Sequence, residues 1–237
     1  MKDKIADYTR NYKRTIFTWS LYDFANQPFP TIIITFIYAA FFTEHISEGY
    51  KAADVYWLFS ISLSAIIIAL LSPIMGAVAD RSGYRKTFFI TWTWICILST
   101  LFLYFPVKGQ ILFALSLVVI SNVAFEVGSV FCNSYLPDIA PKEKIGRISG
   151  YGWSFGYLGG LISLIVCLLV FIFPENPVNP FTGNPLNLDT YENVRSMPLF
   201  IALWFAIFSA PTFIFLKDRK RDSWKEVSIK KSYYDLL

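Results

Sequence analysis

Six apolar runs, separated by short charged clusters, set the pattern of this chain: residues 16–42, 55–79, 88–105, 111–136, 148–173 and 198–216. They match the roughly 20 residues that an α-helix needs to cross a hydrocarbon core about 30 Å thick. They are too long and too uniformly apolar for the alternating strands of about 10 residues found in membrane barrels. The pattern therefore predicts an all-α, polytopic membrane protein with six transmembrane helices over 16–216. A short segment precedes them at 1–15, and a basic tail follows at 217–237. The first run is the most polar, carrying Asp23, Asn26, Gln27, Pro28 and Pro30, whereas the second carries no charge. The sixth opens with Pro198, suited to a helix's first turn, where a missing N–H costs nothing.

Between the second and third runs, residues 76–86 read Gly-Ala-Val-Ala-Asp-Arg-Ser-Gly-Tyr-Arg-Lys. Apolar sequence resumes at once after this cluster of one acid and three bases, which marks a short hinge between two membrane helices. Composition supports the same picture. Apolar residues make up 55% of the chain and charged residues 16%, against about 45–50% and about 25% in soluble domains. The surplus apolar surface needs lipid to face.

All but three of the 21 basic residues (Lys51, Lys108 and Arg195) flank one set of alternate helix ends. Positive residues are retained on the cytoplasmic side, so both termini are expected there. The net charge of +4 is thus topological. It is spread over four loops and ends rather than gathered into a basic patch with interleaved aromatics, and no nucleic-acid partner is expected. The first run is longer than a signal-peptide core and lacks a small-x-small cleavage site, so it is expected to stay as an anchor. With no organellar targeting segment and no N-x-S/T site in the loops, the expected location is a bacterial inner membrane.

Chemistry of the usual enzymatic kinds finds little support. Cys96, Cys132 and Cys167 fall within apolar runs without paired spacing and read as small apolar residues. His45 is isolated at the outer end of the first run and reads as a surface residue. No metal or cofactor is expected. Gly152-Trp-Ser-Phe-Gly156 matches the nucleophile-elbow pattern, but that motif needs a preceding strand and a histidine within reach. Ser154 and His45 belong to opposite membrane faces, which excludes a serine hydrolase.

Two carboxylates stand out. Asp23 and Glu126 lie inside apolar runs that hold no lysine or arginine. An acid in hydrocarbon is costly unless it meets water, a partner or a substrate. At 1.5 Å of rise per residue, Asp23 lies roughly 12 Å and Glu126 about 15 Å from the cytoplasmic ends of their helices. Asn122, Glu126, Ser129 and Asn133 repeat at i, i+4, i+7 and i+11, one helical face. Asp23, Asn26 and Gln27 form a similar face, so two polar stripes at a common depth suggest the walls of a water-filled cavity. The alternative is that both acids are protonated or hydrogen-bonded to neighbouring polar residues and fix packing. Pro28 and Pro30 are expected to kink or unwind the first helix and free carbonyls beside Asp23. Gly152, Gly156 and Gly160, spaced by four, leave one face of the fifth helix almost bare, which suits close helix packing more than ligand contact.

Residues 76–86 resemble the G-x-x-x-D-R-x-G-R-[RK] loop of the major facilitator superfamily. Gly76, Asp80, Arg81, Gly83 and Arg85 fall on the motif, Lys86 follows it directly and is counted with the gate, and Tyr84 stands at the motif's first basic position. The resemblance implies a cytoplasmic gate formed by this loop. Tyr22-Asp-Phe-Ala-Asn26, Asn133-Ser-Tyr-Leu-Pro137 with Asp138, and Ile145-Gly-Arg147 running into Gly156-Tyr-Leu-Gly-Gly160 are similar to the vacuolar-effluxer-like branch, whose fungal members export amino acids. It also implies one half, a 3+3 inverted repeat, of a twelve-helix transporter. The expected function is proton-coupled transport of a small polar solute such as an amino acid, with Asp23 or Glu126 taking the proton or the solute's ammonium group. A second half-transporter or a second copy of the chain is the expected partner. A non-transporting membrane protein, either a truncated product or a scaffold that packs through the glycine face, is the other possibility.

Overall fold

The computed structural model describes the backbone of residues 2–81, 84–180 and 182–217 and the side chains of residues 12–79, 84–180 and 182–217. Within these bounds the chain is helical. Its long helices are α1 (Lys2–Asn26), α3 (Ala53–Arg81), α4 (Arg85–Phe102), α5 (Ile111–Asn133), α7 (Ile145–Cys167) and α9 (Met197–Phe215), joined by the short α2 (Ile37–Phe41), α6 (Leu136–Ile139) and α8 (Glu192–Arg195). Five stretches are long and apolar enough to cross a membrane: Tyr12–Ile46, Ala53–Ala79, Ile111–Ile139, Lys142–Ile172 and Glu192–Phe215. The remaining long helix, α4, has 18 residues and opens with Arg85 and Lys86, so its charged first turn dilutes the apolar remainder. It nevertheless packs among the others as an equal.

Helix α1 begins at Lys2, well before the expected start at residue 16, while the other long helices begin and end close to their apolar runs. In hydrocarbon the backbone must satisfy itself. The hydroxyls of Thr18, Ser64, Thr93 and Ser99 therefore turn back onto carbonyls four residues earlier, at 2.6–3.0 Å.

The main helix contacts run in one line: α3 on α5, α5 on α4, α4 on α9, α9 on α1, α1 on α7. Exchanging the first three long helices for the last three (α1 with α5, α3 with α7, α4 with α9) turns this line into itself read backwards. That is the signature of a 3+3 repeat about an internal two-fold. The core lies along the line's centre, where buried Tyr22 meets the rings of Phe89, Phe205 and Phe213. The Tyr22 hydroxyl bonds Thr93 Oγ1 at 2.9 Å.

The first span is broken beside Asp23 and a carbonyl is freed there, as expected, but the helix widens rather than unwinds. After Asn26 the chain turns at Gln27 and widens into a π-helical stretch, Phe29–Phe36, followed by α2 and a second π-helical stretch, Phe42–Ile46. Asp23 keeps its helical acceptor role, its carbonyl taking the Gln27 N–H at 3.1 Å. Pro28 has no N–H, so the carbonyl left without a helical donor is that of Phe24, four residues back. Trp204 of α9 donates its Nε1–H there at 3.2 Å.

His45 also departs from expectation. It is half-buried and stacks on Tyr191 with ring centroids 3.7 Å apart. Tyr191 holds a left-handed backbone (φ 53°), a conformation that a non-glycine residue adopts under constraint.

Candidate functional site

A cavity of about 350 Å³ lies between the first span, α5 and α7. The first span contributes Asp23, Asn26, Gln27 and Pro30, α5 contributes Phe125, Glu126, Ser129 and Asn133, and α7 contributes Trp153, Gly156 and Tyr157. Six of the seven polar residues expected to line such a cavity thus come together. Asn122, one turn from Glu126, is half-buried and lies off the wall.

Glycines set the distance between α1 and α7. A Cβ at Gly152 would stand 2.5 Å from Asp23 Oδ2 and 3.0 Å from the Trp19 ring, and one at Gly160 would meet Thr31 Oγ1 at 2.8 Å. Gly156 is looser, its would-be Cβ 3.5 Å from the Asp23 Cβ and 3.6 Å from Gln27 Oε1. Gly159 is the tightest, because the backbone carbonyl of Phe24 occupies the place of its missing side chain. Trp19 fixes α1 from the other side by donating Nε1–H to the Cys132 carbonyl of α5 at 2.9 Å, a buried bond. Asp23 is therefore held between two close approaches, and its carboxylate faces the cavity.

Among the described residues, the side chains of Asp23, Asn26, Gln27, Glu126 and Asn133 form no hydrogen bond or ion pair. Ser129 donates to the Phe125 carbonyl of its own helix at 3.0 Å. Two carboxylates and three amides are thus left to water or a bound solute, in a low-dielectric setting where a cation or a proton is attracted strongly. The Trp153 and Tyr157 rings, 6.0 Å apart, stand on the open side, 62% and 67% exposed. These two were not legible as site residues, because aromatics on an apolar helix read equally well as lipid-facing. Their only signal is position, one residue beyond Gly152 and Gly156.

At the hinge, Arg85 Nη2 pairs with Asp138 Oδ2 at 2.9 Å and Nη1 donates to the Ser134 carbonyl at 3.0 Å. The guanidinium lies over the Tyr135 ring, 3.7 Å from its centroid. Arg85 therefore ties the start of α4 to the end of α5 within this chain. Gly76 sits in α3 with open space beside it, and Lys86 belongs to the first turn of α4. The side chains of Asp80 and Arg81, and Gly83 altogether, lie outside the described residues, as does the tail beyond Lys217. Ser154 donates to the Gly150 carbonyl within α7 at 2.8 Å, an ordinary helical serine.

The vacuole effluxer Atg22-like family model matches residues 45–234. The chain is 28% identical over 198 residues to the uncharacterized MFS-type transporter YxiO of Bacillus subtilis, covering 82% of this chain and 44% of the relative. It is 30% identical over 149 residues to an uncharacterized protein of Aquifex aeolicus, covering 62% and 36% respectively. With the autophagy-related protein 22 of Chaetomium globosum it shares 31% identity over 80 residues, 34% of this chain and 12% of that protein. The chain spans less than half the length of these relatives.

Proposed function

Because the chain belongs to the vacuole effluxer Atg22-like family, we propose that it supplies one half of a path by which a small polar solute, such as an amino acid, crosses a membrane by proton-coupled secondary transport. One observation carries this reading: Asp23 and Glu126, on helices exchanged by the internal two-fold, enter one cavity without a partner among the described residues. In it, either acid takes the proton or the solute's ammonium group, while Asn26, Gln27 and Asn133 receive the carboxylate end. Trp153 and Tyr157 offer ring faces to the ammonium group. Asn122 serves the same stripe from outside the wall.

The open side of the cavity is closed by a second half of the transporter or by a second copy of the chain. The gate is the loop of Gly76, Asp80, Arg81, Gly83, Arg85 and Lys86, with Arg85 held by Asp138. Residues 1–15 and the tail at 217–237 lie in the cytoplasm, and the membrane is the bacterial inner one. A non-transporting scaffold is the second reading, although the glycine face of α7 through which it would pack is covered by the first span of the same chain.

Reconstitution into proteoliposomes under an imposed pH gradient tests both readings. Labelled amino acids are expected to accumulate, and Asp23→Asn with Glu126→Gln to abolish the pH-driven part. Uptake unchanged in that double variant would reject the roles of the acids. Complete absence of flux, with no dimer on crosslinking, would favour the scaffold.

A further inference from the structure

A second cavity, of about 360 Å³, opens between α1 and the start of α7. Its rim carries Lys13, Lys144 and Arg147, all exposed. Among the described residues no carboxylate pairs with any of the three. Arg147 donates Nε–H to the Tyr151 hydroxyl at 2.8 Å, which orients the guanidinium and leaves its two Nη groups for a forked contact with an anion. They stand in the first turn of α7, where the helix dipole also favours negative charge. Below the rim the walls become apolar, with the Phe17 and Phe155 rings edge to face at 5.7 Å.

An independent observation comes from Ser20, which also lines this cavity. It is 1% exposed, and its Oγ has no hydrogen-bond partner. Thr18 and Ser64, in comparable helical positions, bond their own backbone at 3.0 Å and 2.8 Å. A buried hydroxyl left without a partner is costly, and Ser20 is among the residues that line this groove.

We infer that this groove binds one anionic phospholipid. The phosphate rests on Lys13, Lys144 and Arg147, a glycerol or ester oxygen meets Ser20 Oγ, and an acyl chain lies along Phe17 and Phe155. Basic pockets between membrane helices suit such headgroups, and the apolar walls distinguish an amphiphile from a free anion. The site is separate from the acid-lined cavity and does not depend on transport.

Native mass spectrometry of the delipidated full chain, titrated with phosphatidylglycerol, phosphatidylcholine or glycerol 3-phosphate, tests the site. One phosphatidylglycerol per chain is expected to be retained at concentrations where phosphatidylcholine is not. Lys144→Gln with Arg147→Gln is expected to weaken retention about fivefold per charge, roughly 25-fold together. Ser20→Ala costs roughly threefold to tenfold, Arg147→Lys costs less than Arg147→Gln, and Lys51→Gln in the loop before α3 changes nothing. Circular dichroism checks that each variant is folded; should the double variant fail to fold, Ser20→Ala and Arg147→Lys carry the comparison. Equal retention of the two lipids, or folded rim variants that bind as the parent does, would overturn the proposal. Glycerol 3-phosphate binding as tightly as the lipid would overturn the lipid assignment in favour of a free phosphate.

Discussion

The two outer seams of the bundle, α1 against α7 and α3 against α5, are equivalent under the internal two-fold but are made differently. The α1–α7 seam is a backbone contact: three glycines of α7 admit Asp23, the Phe24 carbonyl and Thr31 where side chains would stand. Helix α3 has one glycine, Gly76, and it faces open space. That helix meets the bundle through the buried row Trp57, Ser60 and Ser64 and exposes Leu58, Phe59 and Ile66 to its surroundings. Equivalent positions in a fold therefore need not carry equivalent jobs. The α1–α7 seam bears one of the cavity's two acids and holds it in place, whereas α3, packed on α5 through side chains, turns most of its apolar surface to lipid.

Substitutions break or sharpen this contrast. The largest effect is expected from Gly159→Val. Its side chain would collide with the Phe24 backbone, which has no rotamer to escape into, so a loss of about 3 kcal/mol or more is expected in thermal unfolding followed by circular dichroism. Next comes Arg85→Gln, which removes the pair with Asp138 on the α4–α5 side. Losing a hydrogen bond between charged groups is expected to cost about 2 kcal/mol by the same measurement. Trp204→Phe keeps an aromatic ring, though a smaller one, and deletes the donor to Phe24, for at least about 1 kcal/mol. Gly76→Ala, on α3 where a Cβ meets open space, is expected to stabilise the helix slightly, by about 0.5–1 kcal/mol. Should Gly159→Val cost no more than Gly76→Ala, the α1–α7 seam would not be the backbone contact described.

Much of this architecture is legible in the sequence. Hydrophobic runs gave the helices because hydrocarbon allows few other backbones. The stripe of Glu126, Ser129 and Asn133 gave one cavity wall, since polar groups at that depth are too costly to be incidental. Periodicity, however, reports only which residues share a face and never which helix they meet. The stripe therefore extends to Asn122, one turn beyond the cavity wall, and the partnership of Arg85 with Asp138 has no signature in either residue's own helix. Pro28 announced a disturbance, but which carbonyl it orphans is local arithmetic, while the donor that answers it belongs to a helix nearly the whole chain away. Trp153 and Tyr157 stayed hidden because lipid and an aromatic cavity wall select the same side chains.

The contact between Phe24 and Trp204 also bears on the order in which the bundle assembles. Besides that bond, the last helix reaches the first through Thr212 Oγ1, which donates to the Thr18 carbonyl at 2.6 Å, and through Phe215, whose ring centre lies 3.5 Å from the Arg14 guanidinium carbon. All three join segments at opposite ends of the described chain. Closing so long a loop has an entropic cost that must be met before the contact returns anything. The Phe24 carbonyl in the middle of the first span therefore gains its donor only once α9 has packed against it and brought Trp204 within reach.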